Sequence, residues 1–532
     1  MKKFILVILV FLYLVKCAYP LPLTTKSRWI VDESTGERVK FKCINWPAHL
    51  RPMLAEGLDK KPVGHIARHV ASLGFNCVRL TYATHMFTRY YNKTVVQTFR
   101  ELKLTDAIKG LQKNNPVVLD LRVVDVLSVV INVIKAHGLM VVLDNHVSEP
   151  MWCCSDNDGN GLFGDKFFEP EEWLRGLAIV GERYMNNNMV VAMSLRNELR
   201  GPRESVSEWY RWVRKGATRI HVSKPDALIL ISGLYYDLDF TQLKTRTLGL
   251  EPAITSKIVY ETHQYSFSNG QNKWLHQAVN QMCNSMINDI NTKAGFLTTG
   301  RHPAQLFVTE FGVNLMGTNR ADNSFLPCYM AYLAKMDLDW ALWALPGSYY
   351  FRQGIQNLDE PYGLLDSDWT RLRNPGFNDK LHLIQQTLQV PKTASSNYTL
   401  MYHPLSGRCI NSNDKKEIFT EGCDSAFTGW SHVGDGSPIQ VLNTKLCIMV
   451  IGDGLPVKLP NDCNGKQSAW KSIPNSFQIT SKDGNGVDLC LDFDGNSNSK
   501  ILSKKCICAG GSAANCRENP QSQWFQFVWK NN

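Results

Sequence analysis

The sequence predicts a closed (β/α)8 barrel, a TIM barrel, joined to a smaller all-β domain. Short strand-like apolar runs alternate with amphipathic stretches from residue 39 to about 390, the pattern of a parallel sheet with crossover helices. Eight such runs fit a closed barrel, which takes about 250 residues or more. An open doubly wound sheet is the alternative, but the first turn lacks G-x-G-x-x-G and the units are too many. After Val390 helical periodicity vanishes while Gly, Asn, Asp and Cys rise, so a second fold begins near residue 395.

The elements follow in order. Residues 1–17 open with Lys2 and Lys3, continue through apolar Phe4 to Val15 and end beside small residues, the pattern of a secretory signal cut after Cys17. The apolar run is shorter than the roughly 20 residues a membrane-spanning helix needs, so no stable membrane anchor is expected. The barrel domain is set at 25–390, with strands VKFKCINW (39–46), CVRLTY (77–82), MVVLDNH (140–146), VVAMSLRNE (190–198), ALILISG (227–233), IVYETHQY (258–265), LFVTEFG (306–312) and DWALWAL (339–345). Between them VGHIARHVASLG, VLSVVINVIKAHG and EEWLRGLAIVGERY carry apolar residues at three- and four-residue spacing, and two close on a glycine suited to cap a helix. PKTASSN is a polar linker. In 395–532, RCIN at Cys409, LCIM at Cys447 and LCLD at Cys490 open three repeats, each with a second cysteine 14 to 16 residues on at Cys423, Cys463 and Cys506. Trp430, Trp470 and Trp524 close the repeats. Units of about 40 residues cannot bury a face alone, so threefold β packing is expected.

Composition narrows the function classes. Apolar residues at 44% and charged residues at 20% exclude a disordered, collagen-like or coiled-coil chain. The net charge of +10 is scattered without a basic run, which argues against nucleic acid as a partner and suits retention among acidic polymers outside the cell. Fifteen cysteines less Cys17 leave an even fourteen, the disulfide set of a secreted, extracellular protein. Cys43, Cys77, Cys153, Cys154, Cys283 and Cys328 lie in the barrel region with their pairing open, and the other eight lie after it. Cys506 and Cys508 lack the second half of a zinc site. The triplets Asn92-Lys-Thr and Asn397-Tyr-Thr are compatible with secretion.

Catalysis in such a barrel sits at the C-terminal ends of the strands. There the sequence places Arg79, Asp144-Asn145-His146, Asn197-Glu198, His263 and Tyr265, Glu310, and Trp343. A carboxylate ending the fourth strand faces another ending the seventh, the pair that glycoside hydrolysis uses. A separation of about 5 to 5.5 Å makes such an enzyme retaining. Each residue alone is more often structural, a rim salt bridge or a core aromatic. Their coincidence on successive strand ends favours function.

These residues resemble glycoside hydrolase family 5, the cellulase-like family, over roughly residues 30–390. The family's set in chain order finds candidates in Arg79, His146, Asn197, Glu198, His263, Tyr265, Glu310 and Trp343; RNE resembles its acid/base motif and VTEFG its nucleophile motif. The resemblance implies Glu198 as acid/base and Glu310 as nucleophile, with the other six binding substrate. The tail is similar to a ricin B-type β-trefoil lectin, although Q-x-W is replaced by Thr428-Gly-Trp430, Ser468-Ala-Trp470 and Ser522-Gln-Trp524. The arrangement looks like one found in plants. In such lectins the sugar-gripping aspartate stands two residues after a repeat's first cysteine; here that position holds Asn411, Met449 and Asp492, so Asp492 is the candidate sugar ligand.

Charge assigns the roles physically. Arg79 beside Glu310 would keep the nucleophile ionised, Tyr265 would donate to it, and the ionised Glu310 would hold a proton on Glu198. Asn197 would hold the sugar 2-hydroxyl, Trp343 would stack on a sugar face, and His146 and His263 would bind hydroxyls or orient the carboxylates. Periodicity leaves Trp340 and Trp343 both open as the platform; the resemblance selects Trp343. The segment Asp156-Asn-Asp158-Gly-Asn160-Gly161 fits half a calcium loop, but Phe167 stands where a glutamate is needed, so a polar substrate-side loop is preferred. The reading is a secreted retaining β-glycosidase acting on a polysaccharide of the cell wall or a glycoside, with an appended sugar-binding module, no cofactor and no metal; the sequence carries no sign of oligomeric state. The rival is a binding protein whose barrel has lost catalysis, against which the intact Glu198 and Glu310 argue.

Overall fold

The computed structural model describes residues 22–391, 398–423, 428–495, 500–509 and 516–531. The expected leader and most of the linker PKTASSN lie outside them. Backbone contacts divide the chain into two compact units, Met1–Gln264 with Lys293–Gly312 and Asp339–Arg373, and Tyr265–Thr292 with Val313–Leu338 and Asn374–Asn532. Among the described residues no helix is long and apolar enough to cross a membrane.

In the first unit a hairpin of β1 (Leu23–Lys26) and β2 (Trp29–Asp32) precedes eight parallel strands: β3 (Lys42–Trp46), β4 (Cys77–Ala83), β5 (Met140–Val147), β6 (Val190–Ser194), β7 (Leu228–Ser232), β8 (Ile258–Gln264), β9 (Leu306–Phe311) and β10 (Asp339–Leu342). Each pairs with the next, and β10 returns to β3 to close the barrel. Every predicted run supplies its strand. The strands are apolar on both faces because helices cover the outside and side chains fill the inside. Val142, Ala192, Leu230, Val259, Phe307 and Ala341 share one buried cluster with Leu23 and Ile30 of the hairpin. Between strands, the helix Val123–Ala136 buries Val126, Leu127, Val130, Ile131 and Ile134, the three- and four-residue spacing read from the sequence. The helix Pro170–Arg183 starts on proline, and the Glu169 carboxylate accepts the backbone N–H of Glu171 and Glu172.

Two runs end three or four residues sooner than the sequence suggests, and those of β7, β8 and β9 one residue sooner. The strand β6 stops at Ser194, so Asn197 and Glu198 stand on the segment after it, and β10 stops at Leu342, one residue before Trp343. Glu198 has a φ of +41°, which no strand residue adopts and which turns the chain off the sheet.

The second unit contains an all-β region of two sheets. One runs β13 (Ile418–Gly422), β12 (Arg408–Ser412), β11 (Tyr398–His403), β14 (Trp430–Ser431) and β15 (Gln440–Val441), with β21 (Gln526–Lys530) also on β11; the other runs β16 (Leu455–Pro456), β20 (Ile501–Lys505), β19 (Asp488–Phe493), β18 (Ile479–Lys482) and β17 (Lys471–Ser472). The repeats have matching interiors. The buried Trp430 indole donates to Ile410 O at 3.0 Å and the buried Trp470 indole to Ile448 O at 2.9 Å, each acceptor following its repeat's first cysteine. The third repeat departs: Trp524 donates instead to Asn280 Oδ1 at 2.8 Å, on the helix Val279–Lys293 of the same unit.

All fourteen cysteines of the expected set are bridged. Cys43–Cys77 staples directly opposed residues of β3 and β4, Cys153–Cys154 joins neighbours, and Cys283–Cys328 links two helices. Cys409–Cys423, Cys447–Cys463 and Cys490–Cys506 each close one repeat, and Cys508–Cys516 closes the insertion.

Candidate active site

The parallel strands deliver their C-terminal side chains to one mouth, and Arg79 at the middle of β4 is the hub there. Its Nη1 donates to Glu310 Oε1 at 2.6 Å and to Asn45 Oδ1 at 2.9 Å, and its Nη2 donates to Asn197 Oδ1 at 2.9 Å. The same Nη2 lies 2.9 Å from Asp144 Oδ1 and 3.8 Å from Glu261 Oε2. Four strands are thereby referenced to one rigid guanidinium, whose planar fork suits several acceptors at once.

Glu198 and Glu310 meet across this hub. A carboxylate oxygen of each and a ring nitrogen of His263 all lie within 4.8 Å of one another. His263 Nδ1 stands 2.8 Å from Glu198 Oε1 and 3.7 Å from Glu310 Oε2. Its Nε2 is 3.1 Å from Thr309 Oγ1 and 3.4 Å from Asp237 Oδ2, and Asp237 Oδ2 also accepts the Glu198 backbone N–H at 3.2 Å. Asp237 closes a run of three left-handed residues, Tyr235, Tyr236 and Asp237, with φ of 53°, 60° and 62°. Such backbone is strained for residues with a Cβ and holds Asp237 where the loop after β7 would not otherwise put it.

Burial, rather than pairwise charge, dominates the protonation of both carboxyls, and this corrects two expectations. The Glu198 carboxyl is pushed up to about 7, chiefly by desolvation, with Asp144 and Asp158 adding to it and Arg200 and Arg79 opposing. Glu310 also lies above its ordinary range: burial is the largest cause, His263 and Arg79 pull it down, and the neighbouring Glu198 and Asp144 push it up, so the two catalytic candidates do oppose each other's charge but second to burial. Arg79 thus offsets part of a desolvation cost instead of producing a low nucleophile pKa. Burial also drops His263 to about 4, so its imidazole is neutral at pH 7.

One wall of the mouth is aromatic. His146, with Nδ1 2.6 Å from Asp144 Oδ2, stacks between His49 at 4.0 Å and Trp343 at 5.6 Å between ring centroids. Trp152 meets Trp343 edge-on at 6.2 Å and lies under the Arg352 guanidinium at 3.4 Å. A cavity of about 480 Å³ opens between Leu50, Arg51, Trp152, Cys154, Phe351 and Arg352. Trp340, the other candidate platform, is buried between Phe75 and Phe311 and cannot meet a ligand. Gly312, the last letter of VTEFG, has a steric reason: a Cβ there would stand 2.3 Å from the Trp343 carbonyl oxygen.

Five expected residues, Arg79, Asn197, Glu198, His263 and Glu310, come together around the hub, and His146 and Trp343 line the wall beside it. Tyr265 follows β8 directly and stacks on Phe267 at 4.7 Å within the second unit. Asp492, also in that unit, is buried and accepts from Lys504 Nζ at 3.0 Å and Ser522 Oγ at 3.1 Å. In the calcium-like segment, Asp158 accepts from Arg200 at 2.6 Å and Asp156 from the Tyr236 hydroxyl at 2.6 Å, so both carboxylates serve the site's protein framework. Sequence reasoning placed Asp144 at a strand end without a role, and missed Glu261 as a partner of the hub, Asp237 as the partner of His263 and the Glu198 N–H, and the Cys153–Cys154 bridge, whose sulfurs lie 3.6 and 3.7 Å from Asn197 Nδ2. Asp144 carried a signal, being two residues from His146 on one strand face.

Comparison with known proteins accords with this geometry. The family model for cellulase, glycosyl hydrolase family 5, matches residues 40–348. A glycosyl hydrolase 5 family protein of Chamaecyparis obtusa is 41% identical over 97% of this chain and 94% of its own length. An endoglucanase of Paenibacillus polymyxa is 20% identical over 66% of this chain and 84% of its own. Among solved structures, the catalytic domain of the major endoglucanase from Xanthomonas campestris pv. campestris superposes with a TM-score of 0.54 at 20% identity, covering 68% of this chain and 98% of that one. An endocellulase from Pyrococcus horikoshii in complex with cellotetraose does so with a TM-score of 0.53 at 16% identity, covering 69% of this chain and 98% of that one. The chain belongs to the cellulase family, glycosyl hydrolase family 5, and is a glycosidase.

Proposed function

We propose that the protein is a secreted, retaining glycosidase acting on β-linked glucans or β-glycosides outside the cell, with Glu310 as nucleophile and Glu198 as acid/base. The observation that carries this reading is the approach of the Glu198 and Glu310 carboxylate oxygens to within 4.8 Å. That gap leaves no room for a water between acid and base, as inversion requires, and suits direct attack on the anomeric carbon. Glu198, raised to about 7, holds a proton for the departing oxygen near neutral pH. Glu310 is held by Arg79 at 2.6 Å, and the guanidinium favours its anionic form against the burial that raises it. In the second step Glu198 returns as base and takes a proton from the water that releases the sugar. Asn197 holds the 2-hydroxyl, and Trp343 gives the ring an apolar face. The substrate class follows from the relatives named as endoglucanases and the neighbour bound to cellotetraose.

The C-terminal sheets form a β-trefoil module in this reading, supported by the repeated Trp430 and Trp470 bonds and the three intra-repeat disulfides. Its sugar site lies at Asp492, whose oxygens would exchange Lys504 or Ser522 for vicinal hydroxyls. The expected leader and the seven disulfides support export.

Proton NMR of the first products from a β-glucan oligosaccharide tests the catalytic reading. The β-anomer is expected to form first; first appearance of the α-anomer overturns it. For the module, a full-length Glu310→Ala chain on a glycan array is expected to lose a subset of its signals when Asp492→Ala is added.

A further inference from the structure

The Cys153–Cys154 bridge has no part in the reaction described so far, yet it stands against the reacting groups. Both sulfurs and a carboxylate oxygen of Glu198 lie within 4.8 Å of one another. Cys153 is buried, and Cys154 lines the 480 Å³ cavity beside Trp152 and Arg352. The Asn197 amide is clamped between two unlike partners: its Oδ1 accepts from Arg79 at 2.9 Å, and its Nδ2 faces the two sulfurs at 3.6 and 3.7 Å.

We propose that the Cys153–Cys154 disulfide is a positioning device for glycoside cleavage, fixing the orientation of the Asn197 amide and thereby its grip on the sugar 2-hydroxyl. The inference rests on the glycosidase reading above. A disulfide suits the task. Its sulfurs accept weakly and donate nothing, so they tolerate the amide N–H groups but do not compete with substrate for them. A bridged pair also cannot ionise, whereas a free thiolate this close to Glu198 would add a second negative charge. Arg79 fixes the oxygen end of the amide, and the bridge closes off the alternative in which the amide turns away from the sugar. The 2-hydroxyl contact strengthens in the transition state, so its misalignment is felt in turnover.

The test compares aryl β-glucosides with the matching aryl 2-deoxy-β-glucosides, which lack the hydroxyl that Asn197 would hold. In Cys153→Ala/Cys154→Ala, kcat/KM for the ordinary glucoside is expected to fall about tenfold or more, and for the 2-deoxy substrate by about threefold or less. In an Asn197→Ala background the same pair of substitutions is expected to have little further effect on the ordinary glucoside. Equal losses on both substrates, or no loss on either, overturns the proposal, as does full additivity with Asn197→Ala. Cys153→Ser/Cys154→Ser is read in the same way if the alanine pair does not fold. If neither pair folds, the bridge is a structural clasp and the proposal falls. A wild-type chain inert towards both aryl glycosides and β-glucans defeats the glycosidase reading; an active wild type with indifferent variants defeats this proposal alone.

Discussion

Arg79 Nη1 meets Glu310 Oε1 at 2.6 Å, with the arginine side chain wholly buried and the glutamate nearly so. The same guanidinium faces Asp144 and Glu261, so one cation answers three buried carboxyls. Burial raises all three, with Arg79 opposing in each case. Burial therefore works against the very charges that Arg79 stabilises. The balance depends on a group that cannot itself deprotonate.

Arg79→Lys is expected to be far from conservative. A lysine presents one ammonium where Asn45, Asn197, Asp144 and Glu310 now meet two nitrogens of a fixed fork. We expect kcat to fall by about 100-fold or more and a stability loss of about 3 kcal/mol, the scale of a broken buried pair. Steady-state kinetics and urea unfolding measure the two. A variant with near-normal kcat would show that the hub is not needed for chemistry.

The two glutamates should separate by leaving group. Glu310→Ala is expected to lose turnover of every substrate, whereas Glu198→Ala is expected to keep glycosylating itself with activated dinitrophenyl glycosides, which leave without a proton. Burst-phase release of the phenol reports this. Similar losses with activated and unactivated leaving groups in Glu198→Ala would exchange or abolish the assigned roles.

Activity should decline on the alkaline side as Glu198 gives up its proton. With the free-enzyme carboxyl near 7, kcat/KM for an unactivated glycoside is expected to fall tenfold per pH unit above that value. The limb should vanish for Glu198→Ala with a dinitrophenyl glycoside. A profile flat to pH 9 in the wild type would contradict the raised carboxyl.

Stability should carry the same signature with a defined sign. The Glu198 carboxyl is raised in the folded state to about 7 from an ordinary 4.5, so the folded chain holds this proton more tightly than the unfolded chain. Its favourable contribution is complete below about pH 4.5 and is lost as pH rises through 7. Glu198→Gln is therefore expected to gain Tm relative to wild type at pH 8 but not at pH 4. An equal Tm difference at both pH values would count against it.

Much of this was legible because barrel strands report their register through runs of apolar residues, and polar residues interrupting or ending those runs gather at the C-terminal mouth. His263 and Glu310 are read that way, whereas Arg79, expected at a strand end, stands inside β4 with Leu80–Ala83 still to follow. Asn197 and Glu198 were found by the same route although they lie just beyond β6. The sequence could not show Asp237, because it reaches Glu198 and His263 from a loop through left-handed backbone that no periodicity encodes. Nor could it show that desolvation dominates the carboxyls, since burial is a property of the assembled mouth. The choice of Trp343 over Trp340 became physical only once Trp340 was seen enclosed by Phe75 and Phe311. In the tail, cysteine spacing marked the three repeats, while the pairing within each of them and the turn of Trp524 towards Asn280 belong to the folded chain.

The left-handed run from Tyr235 to Asp237 also bears on how this enzyme could be engineered. Glycine at 235, whose tyrosine side chain is exposed, would relieve about 1 kcal/mol of backbone strain, so a screen for heat tolerance would tend to select it. The same change would let the loop sample other paths, and Asp237 would wander from the Glu198 N–H that it now accepts at 3.2 Å. Thermal endurance and catalytic accuracy are thus opposed at this loop, and a hardier variant gained there is expected to be a slower one.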